Sequence, residues 1–250
     1  MVLDFTFFAL AIPAVIFAGV SKGGFGSGAA FAATPLLALI LEPGAAIGVM
    51  LPLLMLMDVS ALRPYWRQWD AEAAKVLIIG GVPGVALGAL LYGFANPDVF
   101  RVLIGCIALG FVAFQIGRAR RWIRAAKRPL GRIAGLVFGG IAGLTSFISH
   151  AGGPPAAIYL LSRPITKRTY QATTVITFWA INVVKFFAYL GLGLFDRQTL
   201  AADLFLAPFA VLGVYLGVVA HRMVPERLFF ALVYVFLTIT GTKLIFDALT

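Results

Sequence analysis

The chain has 250 residues, of which 61% are hydrophobic and only 12% charged, and its mean hydropathy is +0.98. A soluble domain carries roughly 25% charged residues, so this chain has too little polar surface to coat itself in water and reads as a polytopic membrane protein. The net charge of +10 does not point to nucleic acid, because Arg118, Arg120, Arg121, Arg124, Lys127, Arg128 and Arg132 crowd one short connector between apolar blocks. Such a cluster marks a cytoplasmic loop under the positive-inside rule. One Cys and two His exclude the clustered ligands of a zinc or haem site, and no cofactor or metal is expected.

In chain order, the first residues, Met1-Val2-Leu3-Asp4-Phe5, lack a positive n-region, so no removable signal peptide is expected. Apolar segments follow at 4–21, 25–41, 44–62, 72–94 and 98–118 in the first half. In the second half they lie at 131–148, 152–162, 168–192, 199–220 and 227–247. Strand alternation is absent, so the spans are predicted as helices that satisfy their own backbone within a core of about 30 Å. Segment 152–162 is too short to cross, at about 16 Å for a 1.5 Å rise per residue. It pairs with 131–148 as a broken-helix hairpin that is either re-entrant or spanning, and 4–21 with 25–41 forms its counterpart. The lone Cys106 lies in an apolar run and is expected to be a packing residue.

Two segments are interrupted in the same way. The first carries Ser21-Lys22-Gly23-Gly24-Phe25-Gly26-Ser27-Gly28, the second Ser149-His150-Ala151-Gly152-Gly153-Pro154-Pro155. They align at a shift of 124 residues, which also puts Gly19 on Gly143, Gly28 on Gly152 and Asp58 on Asn182. Later in each half the shift becomes 129, with Gly84 on Gly213, Gly88 on Gly217 and Phe100 on Phe229. The expected layout is therefore two repeats, 1–122 and 131–250, joined by a basic cytoplasmic linker at 123–130. Five reversals per half invert the second repeat relative to the first. With the basic connector inside, 15 basic residues fall inside and 3 outside; Lys22 and Lys185 remain within the membrane region. Asp4, Glu42, Asp98, Asp196, Asp203 and Asp247 fall outside. A doubled apolar chain with glycine- and proline-interrupted segments at matched places points to a transporter's binding site.

The glycines suit an unwound turn and Pro154 and Pro155 the first turn of a new helix. New helices are predicted to start near Gly26–Ser27 and Gly152–Gly153, and helix N-termini favour anions. Lys22 adds a full positive charge, while Ser21, Ser27, Ser146, Ser149 and Thr34 offer hydroxyls. The candidate substrate-binding residues are Lys22, Gly23, Gly24, Gly26, Ser27, Gly28, Ser149, His150, Gly152, Gly153 and Pro154. Asp58, His150, Asn182 and Lys185 are candidates for proton coupling or gating. Blander readings stand beside these. The glycines serve close helix packing, Lys22 snorkels to the interface, or Asp58 and Lys185 neutralise each other.

The two motifs and the doubled layout resemble the TauE/SafE family of sulfite exporters, also called the 4-toluene sulfonate uptake permease family. The similarity covers about residues 5–247. It implies an inner-membrane carrier, not an enzyme, for sulfite or organosulfonates such as sulfoacetate, with export as the best-known direction. A passive anion channel and a proton-coupled uptake permease are the alternatives. The expected partners are a small inorganic or organic anion and membrane lipid, with a homodimer left open and nucleic acid excluded.

Overall fold

A computed structural model describes residues 3–25, 29–62, 65–120, 122, 128–223 and 225–250. Gly26, Ser27 and Gly28 of the first motif lie outside these residues, as do Arg121, Arg124 and Lys127 of the basic connector. The described residues form helices and no strand. The first half contains α1 (Phe5–Val20), α2 (Ala33–Leu37), α3 (Pro43–Leu62), α4 (Ala71–Phe94) and α5 (Pro97–Ala119). The second contains α6 (Arg132–Ser149), α7 (Gly153–Leu161), α8 (Lys167–Gly191), α9 (Arg197–Met223) and α10 (Glu226–Leu249). Eight helical stretches are long and apolar enough to cross a membrane; α2 and α7 are not.

Local chemistry sets the helix starts. Asp4, Asp70, Asn96 and Thr166 each accept a hydrogen bond from a backbone N–H in the first turn, at 2.8–3.1 Å, which satisfies a donor the helix cannot. Pro97 occupies the first turn of α5, and Pro154 and Pro155 that of α7, as expected. The first break differs from expectation. Ser21–Phe25 does not unwind but continues α1 as a wider π-helical turn, and helix resumes only with a 3-10 turn at Ala30–Ala32 leading into α2. The predicted 25–41 segment is thus helical only over its middle.

The helices pack across the two halves. α1 lies on α9 and α4 on α6, while α5 pairs with α10; α3 contacts α8 and α9, and α4 also contacts α8. The sequence shifts exchange these pairs: α1 with α9 becomes α6 with α4. The exchange holds at single residues. A Cβ on Gly213 would meet the carbonyl oxygen of Ile16 at 2.6 Å, and a Cβ on its counterpart Gly84 would strike that of Gly140, the counterpart of Ile16. A Cβ on Gly19 would lie 2.8 Å from the Ala210 oxygen, and one on Gly143 would strike that of Gly81, the counterpart of Ala210. Absent side chains let these backbones touch, the usual route to tight helix association in lipid.

One expectation fails here. Cys106 is exposed on the outward side of α5 rather than packed inside, because α5 presents its buried face through Ile104, Gly105 and Ala108. Asp203, two turns into α9 from its start at Arg197, is buried with no hydrogen-bond partner on either carboxylate oxygen.

Replacing Gly84 by Ala forces a methyl group into the α6 backbone. Overpacking of this kind costs about 1–3 kcal/mol, so Gly84→Ala lowers the melting temperature of the detergent-purified protein. Gly110→Ala, which meets nothing within 4 Å, leaves it unchanged.

Candidate anion site

The two broken segments meet around one chain of polar contacts. Lys22 projects from the π turn and is buried. Its Nζ lies 2.6 Å from Oδ1 of Asp58 on α3 and donates to the Leu54 carbonyl at 3.1 Å. The other Asp58 oxygen accepts from Nδ2 of Asn182 on α8 at 2.8 Å. The amide is thereby oriented, and its Oδ1 accepts from Lys185 Nζ at 3.3 Å. Lys185 Nζ also donates to Ser146 Oγ at 3.2 Å and lies 2.6 Å from His150 Nδ1. His150 Nε2 lies 3.1 Å from the Ile47 carbonyl. A carbonyl only accepts, so Nε2 carries the proton and Nδ1 accepts from Lys185.

His150 has a backbone cost. It sits at the C-terminal end of α6 with φ 58°, the left-handed conformation. Glycine is the default residue there, and a non-glycine costs on the order of 1 kcal/mol or more. Retaining an imidazole at such a place fits a side chain in use. The Tyr189 ring packs edge-on beside it, with centroids 6.4 Å apart; the Tyr189 hydroxyl donates to the Phe147 carbonyl at 2.6 Å, and its ring lies 5.6 Å from Lys185 Nζ.

Beside this chain is a cavity of about 20 Å³, room for roughly one water. Lys22, Ser146, His150, Gly153 and Asn182 line it on the polar side, with Phe31, Phe178 and Ala30 on the apolar side. Both halves therefore contribute. A larger cavity of about 110 Å³ lies by the α4–α5 turn, where the one charged lining residue is Glu42, the wrong sign for an anion.

The predicted residues divide. Lys22, Asp58, His150, Asn182 and Lys185 form one network, and Gly153 faces the cavity. Gly23 and Gly24 turn toward α9 instead: a Cβ on either would strike the carbonyl of Val214 or Gly217. Gly152 packs against Ser146 and Phe178. Pro154 sits in the first turn of α7, and Ser149 Oγ donates to the Thr145 carbonyl within its own helix. Snorkelling does not describe Lys22, which is ion-paired in the interior. Asp58 and Lys185 do not neutralise each other either. Lys22 takes the carboxylate because it comes directly off the neighbouring turn, and Asn182 stands between Asp58 and Lys185. Sequence reasoning missed Phe31 and Phe178 as walls. Phe178 lies one turn before Asn182, and that i, i+4 spacing on α8 was the available signal.

Toward the basic end of the bundle, Arg163 joins the halves. Its guanidinium contacts Asp70 at 3.0 Å and Glu72 at 3.2 Å, both at the start of α4, and the Tyr159 hydroxyl at 3.1 Å. Partial burial alone would lower the Arg163 guanidinium, but Asp70, Tyr159 and Glu72 outweigh it and raise it above its usual value.

A helical bundle with eight membrane-length helices and a buried cationic pocket where two interrupted segments converge defines a multi-pass membrane transport protein. The family model described as sulfite exporter TauE/SafE matches residues 11–244, and the chain belongs to that family. Its place is the inner membrane, as a sulfur-anion transport protein rather than an enzyme. No curated protein and no solved structure matches the chain.

Breaking a buried ion pair from one side strands the other charge, at about 3–5 kcal/mol. Lys22→Met and Asp58→Leu should each destabilise the protein by that amount in detergent unfolding. The double variant should lose about 2 kcal/mol less than their sum, the coupling expected of residues in contact.

Proposed function

We propose that the protein is a secondary carrier that exports a small sulfur-containing anion, sulfite or a short organosulfonate such as sulfoacetate, by alternating access. The carrying observation is the convergence of both interrupted segments on a buried cluster holding two lysines and one carboxylate. The moving parts are two inverted repeats, 1–122 and 131–250, joined by the cytoplasmic linker 123–130. Their support is the exchange of packing pairs under the sequence shifts and the hydrogen bond between the counterparts Asp58 and Asn182. Counterparts that touch lie on the axis relating the halves.

Substrate oxygens would sit among Lys22, Ser146, His150, Asn182 and the start of α7 at Gly153. A cavity for about one water fits an occluded carrier that widens to load, rather than an open channel. Asp70, Glu72 and Arg163 then act as a latch on the cytoplasmic side, to be parted when the site opens inward. An inside-negative potential drives an anion outward by about 2.3 kcal/mol per charge per 100 mV. Export thus needs no coupling ion.

Proteoliposomes loaded with sulfite test the proposal. Wild-type protein releases sulfite faster than empty liposomes, and Lys22→Ala, reconstituted to the same density, releases it at least tenfold more slowly. Equal release by wild-type and empty liposomes, or undiminished release by Lys22→Ala, would overturn it. Arg163→Ala loosens the latch, so it should raise the labelling rate of a cysteine placed at Ser146 by a membrane-impermeant thiol reagent added from the cytoplasmic side; an unchanged rate removes the latch.

A further inference from the structure

The polar cluster has lost the symmetry of the fold at one place, and the loss concerns charge. Asp58 and Asn182 are repeat counterparts, and they bond to each other at 2.8 Å. Each has an ammonium beside it: Lys22 lies 2.6 Å from Asp58, and Lys185 lies 3.3 Å from Asn182. The second ammonium also reaches Ser146, the counterpart of Lys22, at 3.2 Å. Both halves therefore hold an ammonium at the matching place, the first supplied by the broken segment and the second by α8.

The partners differ. Lys22 is neutralised by a carboxylate. Lys185 meets three neutral acceptors, Ser146 Oγ, Asn182 Oδ1 and His150 Nδ1, which match the three N–H bonds of an ammonium. His150 is neutral, since its one proton is on Nε2 facing the Ile47 carbonyl. Counted with both lysines protonated and Asp58 ionised, two ammoniums and one carboxylate leave one positive charge in surplus, the one on Lys185, which has only uncharged partners. The cavity is lined by Lys22 and by all three neutral partners of Lys185; an anion entering it reaches the Lys185 ammonium by displacing these neutral acceptors, while Lys22 keeps its carboxylate.

We propose that this single surplus charge sets the valence of the cargo: the site takes monoanionic oxyanions, such as a monosulfonate or hydrogensulfite, over dianions, and Asn182 is the specificity-determining residue. The proposal rests on the anion-carrier reading above. Its physical basis is the cost of net charge in a water-poor interior. A monoanion beside Lys185 makes the occluded cluster neutral. A dianion leaves it net negative, with no further cation to pair with. An aspartate at position 182 would face Lys185 as Asp58 faces Lys22, and no charge would remain to attract an anion.

The test uses anions of fixed charge, methanesulfonate as the monoanion and sulfate as the dianion, in proteoliposomes containing the full-length protein. Wild-type protein moves methanesulfonate at least tenfold faster than sulfate. Asp58→Asn raises the surplus to two, and the methanesulfonate-to-sulfate ratio falls at least tenfold. Asn182→Asp removes the surplus, and methanesulfonate flux drops at least tenfold. Both variants are first checked for a monodisperse elution profile. If Asp58→Asn fails that check, the wild-type ratio and Asn182→Asp decide the matter. An unchanged ratio in folded Asp58→Asn, undiminished methanesulfonate flux in Asn182→Asp, or a wild type indifferent to valence overturns the valence proposal while sulfite flux persists. A wild type that moves none of the three anions overturns the carrier reading itself.

Discussion

A charge removed from water must find a partner, and in this bundle three such charges are removed together. Lys22, Asp58 and Lys185 are each at most 3% exposed, within helices built almost wholly of apolar residues. The Lys22–Asp58 pair, at 2.6 Å, is the contact among them that joins opposite charges. It ties the π turn after α1 to α3, and through Asn182 to α8. The remaining polar groups arrange themselves around that pair: Asn182 is turned by it, Lys185 is directed by Asn182, and His150 is directed by Lys185. A buried pair contributes little to net stability against an apolar replacement. Its effect here is to specify one arrangement of the interior.

Backbone contact makes the cluster reachable. α1 and α6 carry the two broken ends, and each is pressed against a helix of the opposite half through glycines at matched places. The ends of both segments are thereby brought to one cavity. The apolar exterior follows from the solvent: Leu90, Phe94, Ile133, Leu204, Phe205 and Phe236 are exposed, as expected of surfaces that meet lipid tails.

Much of this was legible in the sequence because membrane helices announce themselves. Nine of the ten α-helices begin and end close to the apolar blocks, α2 being much shorter than its block, and the matched interruptions singled out Lys22 and His150, which the structure joins through one network. What the sequence hid was geometry across helices. Nothing in linear spacing shows that Lys22 rather than Lys185 reaches Asp58, since the choice depends on how a π turn aims one side chain. The first glycine run was half misread. Gly23 and Gly24 look like an unwound loop in sequence, yet their bare faces are needed against α9. Cys106 was assigned by the run it occupies, whereas its burial depends on which helical face meets a neighbour. The lone αL histidine could not be foreseen from residue type, because that position normally takes glycine.

The central claim is that an anion binds where the two interrupted segments converge, within reach of Lys22, Ser146, His150 and Lys185. Selenite, the heavier analogue of sulfite, allows that claim to be checked directly by anomalous diffraction from crystals of the protein soaked with it. A selenium peak is expected with its oxygens in hydrogen-bonding reach of the Lys185 ammonium and the His150 ring. A peak confined to another place, or an empty cluster in crystals whose protein moves selenite in liposomes, would contradict it.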